Sequence, residues 1–509
     1  MAISEKNIKN ILIYAAPNFV GYLISVFTMP IMTRLLIPSD YGIIAMAGIF
    51  PAIALGVLTF GLSSATQRYY FEYYKDKKKL DALVISAQIC LFVMFAFSIV
   101  PIYLFKDFIA ERIIGSPVYG TAQFVCYLAT FLAYMNNFYL LLYQNMQRAK
   151  EYAMYILMQM LITSFAGLIY IWFFKMSYMG PLYGSLTASV LVFLTLLFRF
   201  NREYVFRYDF GLLWESIKYG LQLVPQSFTG LISRFFDKYM LSSLLSLSAV
   251  GIYNIGQNIG QLLFTLMVAV WNSFQPVFFK EVFDNGPGAA RSVGRMVTVF
   301  SYLTLAPIVL AVLFAKEIIF IMAPPSYSHA VPVIIIIACA YATNVFGCFV
   351  GLQYVYTKKT FLLFPLSIFG TIANVGFNLI LIPKYGLAGG AASTFLSFLF
   401  INGVTTYVGQ RLYKFEYEWL LLLLMYFNVF VPAGLLLYLP KINCPLQVIY
   451  LIKLVFLALF VFIGHRSNIL TRSKFDMLMN MFLKKRNPKL AIKMPNRCNS
   501  CGPDNFELE

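Results

Sequence analysis

Apolar stretches of about 20 residues follow one another along the whole chain, separated by short polar breaks. A helix of that length crosses a hydrocarbon core of roughly 30 Å, where only helices and closed barrels satisfy their own backbone polar groups. The pattern predicts fourteen helical spans, centred near residues 23, 51, 93, 131, 163, 190, 229, 261, 305, 341, 371, 397, 429 and 455. The span within residues 219–255 departs from the pattern, because Arg234, Asp237 and Lys238 interrupt its apolar run. A charge at mid-bilayer depth costs at least about 2.5 to 3.5 kcal/mol, so such residues face a partner or a wet cavity. At 100° per residue Ser227, Gly230, Arg234, Asp237 and Lys238 fall in one sector, which predicts a single polar stripe lining a binding cavity. The next span carries a second stripe of Asn254, Gln257, Asn258, Gln261 and Thr265.

The pattern also repeats. Leu23, Ile24 and Ser25 recur as Leu231, Ile232 and Ser233 at an offset of 208, and Gly42 and Ile43 recur as Gly251 and Ile252 at 209. Gly180 and Gly184 match Gly386 and Gly390 at 206, and Lys150 matches Lys358 at 208. Spans one to six therefore correspond to seven to twelve. An even number of spans per repeat preserves orientation, so the halves are expected to be related by an axis along the membrane normal, with a substrate site between them. The expected organisation is a six-helix half in residues 1–205, a second in 206–412, two added helices in 413–465 and a basic tail in 466–509.

Composition agrees with an all-α integral membrane protein: 60% of the 509 residues are apolar and 12% charged, against about 45 to 50% and about 25% in soluble domains. Of the 39 Lys and Arg, 29 fall in segments on the N-terminal side of the predicted membrane, seven on the other and three within spans. That split puts both termini in the cytoplasm and makes the net charge of +18 largely topological, so no nucleic-acid partner is indicated. The basic tail is expected to lie against anionic headgroups or to be disordered. The first apolar run is too long for a cleaved signal core and is expected to stay as the first span. The longest external connection, near Lys106 to Tyr119, is too short for a soluble domain.

The chemistry narrows to the charged span. Asp237 is the one carboxylate that the span assignment puts deep in the bilayer. Two readings of it are open: it neutralises Arg234 and Lys238 as a structural cluster, or the two cations bind an anionic group while Asp237 tunes them or carries a coupling proton or cation. The amides either satisfy one another across helix interfaces, worth roughly 0.6 kcal/mol each, or serve a hydroxyl-rich ligand with their paired donors and acceptors. Asn374 and Asn378 form a smaller pair of the same kind, and Pro17, Pro30 and Pro225 are candidate kinks. Cys498 and Cys501 make one CxxC with no second pair, so no metal site or cofactor is expected. No Gly-rich phosphate loop, nucleophile elbow or catalytic carboxylate pair is present, which argues against an enzyme.

Four stretches carry a family resemblance: TRLLIPSDYGI from Thr33, FGLSSATQRYYFEY from Phe60, DKYMLSSLLSLSAVGIYNI from Asp237 and NLILIPKYGLAGGAAST from Asn378. In that order on fourteen spans they resemble the polysaccharide-transport branch of the multidrug, oligosaccharidyl-lipid and polysaccharide exporter superfamily. The resemblance implies a flippase of the bacterial inner membrane. It would turn an undecaprenyl-diphosphate-linked oligosaccharide from the cytoplasmic to the periplasmic leaflet by alternating access, in surface polysaccharide biosynthesis. Asp237 and Lys238 fall on the acid and base that open a DR-type motif, with Lys in place of the more usual Arg, which keeps the charge and loses the fork. Arg234 lies outside that motif. The resulting candidate substrate-binding set is Arg234, Asp237, Lys238, Asn254, Gln257, Asn258 and Gln261, with lipid-linked oligosaccharide and membrane lipids as partners. A drug or organic-cation antiporter of the same superfamily is the alternative.

Overall fold

The computed structural model describes residues 5–442, 444–467 and 469. Helices and short turns account for its regular structure, with no strand among these residues. The first part runs through α1 (Glu5–Leu35), α2 (Pro38–Ala47), α3 (Ile49–Leu58), α4 (Leu62–Tyr73), α5 (Lys77–Leu104), α6 (Lys106–Ile113), α7 (Gly120–Asn145), α8 (Ala149–Trp172) and α9 (Met179–Glu203). The second runs through α10 (Phe210–Leu244), α11 (Leu247–Asn285), α12 (Ala290–Leu313), α13 (Ala315–Met322), α14 (Ala330–Tyr356) and α15 (Leu363–Leu412). Two further helices follow, α16 (Trp419–Tyr438) and α17 (Leu446–Arg466).

Ten spans among the described residues are long and apolar enough to cross a membrane, eleven when α11, bent by 44°, is taken as one. Fourteen crossings require in addition that α1, the charged α10 and both arms of α15 cross. Those arms are two helices that meet at a kink: the backbone leaves helical geometry at Gly386, whose φ of 57° suits a residue without a Cβ. The segment near Lys106 to Tyr119, expected as an external loop, is instead α6 followed by a 3-10 turn at Pro117–Tyr119. The same pair of elements returns as α13 and a turn at Pro325–Tyr327. Eight residues make about two turns, too few to stand out as a periodic pattern.

Aromatic packing dominates the interior. Tyr127, Phe131, Tyr139 and Phe200 centre one cluster, and Phe278, Phe300 and Phe349 centre another that takes in Met425 of α16 and Phe460 of α17. Within α17, buried Lys453 reaches Glu317 of α13 at 2.5 Å. Burial alone would raise the Glu317 carboxyl, but the Lys453 ammonium outweighs it and holds the group below the ordinary glutamate range.

A third cluster, including Met46, Val250, Tyr253, Val333 and Ile382, joins the two parts. At its centre α2 crosses α11 with reciprocal contacts. A Cβ on Gly42 would lie 1.9 Å from the Leu247 carbonyl oxygen, and one on Gly251 would lie 1.8 Å from that of Pro38. Pro38 and Leu247 stand at the same offset of 209 as the two glycines, so the contact is self-complementary, as a local two-fold requires. The α13 segment also latches onto the first part. The Thr33 hydroxyl donates to the Met322 carbonyl at 2.8 Å, and the Tyr327 hydroxyl donates to that of Leu36 at 2.8 Å.

Candidate functional site

The site is built on the hairpin of α10 and α11. Asp209 caps the first helix by accepting from the Leu212 amide at 3.1 Å, and Ser246 caps the second by accepting from Ala249 at 3.1 Å. Two rungs then tie the helices together. The Tyr253 hydroxyl donates to Asp237 Oδ2 at 2.7 Å, and Lys238 Nζ donates to Asn254 Oδ1 at 2.7 Å. Hydrogen bonds of this kind to charged groups are worth about 1.5 to 3 kcal/mol each.

This bonding divides the expected stripe. Asp237 and Lys238 are 1% and 7% exposed, whereas Arg234 is exposed. Helical phase puts Asp237 and Lys238 on the same side as Arg234, but Tyr253 and Asn254 come from the neighbouring helix and cover the outer two. No carboxylate among the described residues lies within ion-pair distance of Arg234 or Lys238. The mutual neutralisation open to Asp237, Arg234 and Lys238 on sequence grounds is therefore not made as contact pairs. Asp237 Oδ1 is buried and has no hydrogen-bond partner among the described residues, while the nearby Thr394 hydroxyl turns to the Gly390 carbonyl at 3.3 Å. Asp40 and Asp81 are also buried, but each sits at a helix start with a partner: Ser177 donates to Asp40 at 2.6 Å and Lys77 pairs with Asp81 at 2.7 Å.

On α11, Asn258 and Gln261 are exposed, and Asn254, Gln257 and Thr265 are half-buried. The Tyr341 hydroxyl of α14 donates to Gln261 Oε1 at 3.3 Å, and Tyr341 lies within electrostatic reach of Arg234. Exposed Ile232 points about 200° around α10 from Arg234, so the cation looks away from that apolar side. The open wall thus presents one fixed cation, two amides and a phenol: donors for an anion and mixed donors and acceptors for hydroxyls. Asn374 and Asn378 do not join it; both are buried, and Asn378 Nδ2 donates to Asn374 Oδ1 at 3.2 Å. Tyr253 and Tyr341 are the participants that the stripe argument missed. Their sequence signal is a tyrosine near the middle of an apolar span, where its hydroxyl needs a polar partner.

No group of three His, Cys, Asp or Glu among the described residues could hold a metal ion, and Cys498 and Cys501 lie outside those residues.

A family model described as "Polysaccharide biosynthesis protein" matches residues 8–281, more than half of the chain. No curated protein matches the sequence. Among solved structures, the lipid II flippase MurJ in an inward closed conformation shares 12% identity, with a TM-score of 0.70, and the match covers 90% of this chain and 100% of that one. An inward-facing multidrug resistance MATE family transporter of the MOP superfamily shares 16% identity, with a TM-score of 0.62, covering 79% and 98%. A MOP superfamily transporter from Pyrococcus furiosus shares 16% identity, with a TM-score of 0.55, covering 79% and 94%. The fold is that of these transporters and of this flippase.

Proposed function

The chain belongs to the polysaccharide biosynthesis protein family, and from that premise we propose that it is a flippase for undecaprenyl-diphosphate-linked oligosaccharide. In this reading it is a multi-pass protein of the bacterial inner membrane with both termini cytoplasmic. It carries its cargo from the cytoplasmic to the periplasmic leaflet by alternating access between two six-helix halves. The observation that supports it is Arg234: a cation exposed on a bundle helix, without a carboxylate in ion-pair distance among the described residues, and within electrostatic reach of Tyr341, which in turn donates to Gln261. A diphosphate supplies the charge that this wall lacks, and an acyl chain can stay in lipid throughout. Lys238, held by Asn254 below the surface, adds positive potential, and Asp237 Oδ1 is the buried acceptor at which a coupling proton or cation would bind. A wall whose fixed charge is positive is poorly matched to organic cations.

The test is translocation of lipid-linked oligosaccharide in proteoliposomes, read by which leaflet exposes the glycan. Arg234→Ala is expected to slow it about 100-fold at unchanged protein level, and Arg234→Lys to recover part of the loss, since the charge returns without the planar fork. A wild-type rate in Arg234→Ala would remove the diphosphate role. A wild-type protein that moves no lipid-linked glycan but changes drug efflux would establish the antiporter.

A further inference from the structure

The seven candidate residues all lie on the second half of the chain. The first half holds a separate cavity of about 510 Å³ between α1, α7 and α8. That size falls within the range of ligand pockets, about 300 to 1,000 Å³. Its polar lining is Ser25, Asn137, Gln159, Thr163 and Ser164, with apolar walls such as Leu140, Ile156 and Met160 and no charged residue. Asn137, Gln159, Thr163 and Ser164 make no side-chain hydrogen bond among the described residues, and Ser25 turns back to its own Gly21 carbonyl at 3.0 Å. The polar side of α8 is turned inward: Thr163 stands about 200° from Leu161, which with Phe165 and Ile169 forms the exposed apolar row of that helix.

At the corresponding place in the second half two hydroxyls are paired. Ser233 and Thr371 stand 208 residues after Ser25 and Thr163, and there the Ser233 hydroxyl donates across the gap to Thr371 Oγ1 at 3.1 Å. In the first half a cavity stands at this place, and four of its five polar side chains make no side-chain hydrogen bond among the described residues.

We propose that this cavity is a subsite for an uncharged, polyhydroxylated group, and so for a sugar unit of the lipid-linked cargo; this rests on the flippase reading above. Each unpartnered amide or hydroxyl can both donate and accept, as a sugar hydroxyl does, and the aliphatic walls suit the C–H faces of a sugar ring. A phosphate would find no cation there, and an organic cation would find no carboxylate and no aromatic face. The diphosphate and the glycan are thereby assigned to different halves of the protein.

Two measurements on the full-length chain in proteoliposomes test this. The probes are lipid-linked oligosaccharides extracted from the source membranes and undecaprenyl diphosphate bearing no sugar. In Ser164→Cys, maleimide labelling above that of the parent chain is expected to slow with the glycan-bearing lipid and not with the sugar-free one. The double variant Gln159→Leu and Thr163→Val is expected to translocate the glycan-bearing lipid about tenfold more slowly, having lost two hydrogen-bonding side chains. Equal protection by both lipids, or wild-type translocation by the double variant while Arg234→Ala is impaired, overturns the sugar subsite and leaves the flippase reading intact. A wild-type chain that translocates neither lipid overturns the flippase reading itself.

Discussion

The helix pair α1 and α2, continued by α3, and the pair α10 and α11 occupy matching places in the repeat, yet they carry opposite equipment. At the offsets of 208 and 209, Arg234, Asp237 and Lys238 correspond to Val26, Met29 and Pro30, and Asn254, Gln257, Asn258 and Gln261 correspond to Ala45, Gly48, Ile49 and Ala52. One pair is charged and amide-bearing; the other is apolar at every one of these positions. The polar side chains at a second pair of matching places also differ: Ser25 lines a cavity, and Ser233 donates to Thr371. A common backbone plan therefore does not imply two similar sites. What the pairs share is the close crossing at Gly42 and Gly251, where the helices meet through backbone alone, and what they do not share is the chemistry further along.

Substitution at the shared crossing should cost the most. Gly42→Ala and Gly251→Ala each place a methyl group against a carbonyl of the partner helix and are expected to lower stability in detergent by about 3 kcal/mol. Because one separation of the helices relieves both clashes, the double variant is expected to lose clearly less than the sum of the two. Additive losses, or a loss in only one variant, would show that the crossing is not reciprocal. A smaller effect is expected where the halves differ. Tyr253→Phe leaves the buried Asp237 carboxylate without its one hydrogen-bond donor from α11 and is expected to cost about 2 kcal/mol of stability, read by thermal unfolding. Smallest is Ser233→Ala, expected to cost about 0.6 kcal/mol, the typical value for a hydrogen bond between membrane helices. The matching Ser25→Ala is expected to leave stability unchanged because that hydroxyl bonds only within its own helix.

Much of the architecture was legible in the chain itself, because a membrane core leaves an apolar pattern that only helices explain, and because the repeat marks survive at fixed offsets. The importance of α10 followed from the cost of placing Arg234, Asp237 and Lys238 in an apolar run. Their division into one exposed and two covered residues was not legible, since helical phase describes one helix and the covering groups, Tyr253 and Asn254, belong to another. The cavity of the first half was hidden for a different reason. Gln159 and Thr163 were visible as polar positions four apart on α8, but empty space is fixed by how far α1 stands from α8, which no single-helix pattern records. The short α6 and α13 escaped because two turns carry too little periodicity.

Both latches from the α13 segment end on main-chain oxygens, those of Leu36 and Met322. The accepting side chains are thus free to vary without weakening the clasp, while Thr33 and Tyr327 are not. Mutational tolerance at this seam should therefore run one way only, permissive at the receiving positions and strict at the giving ones.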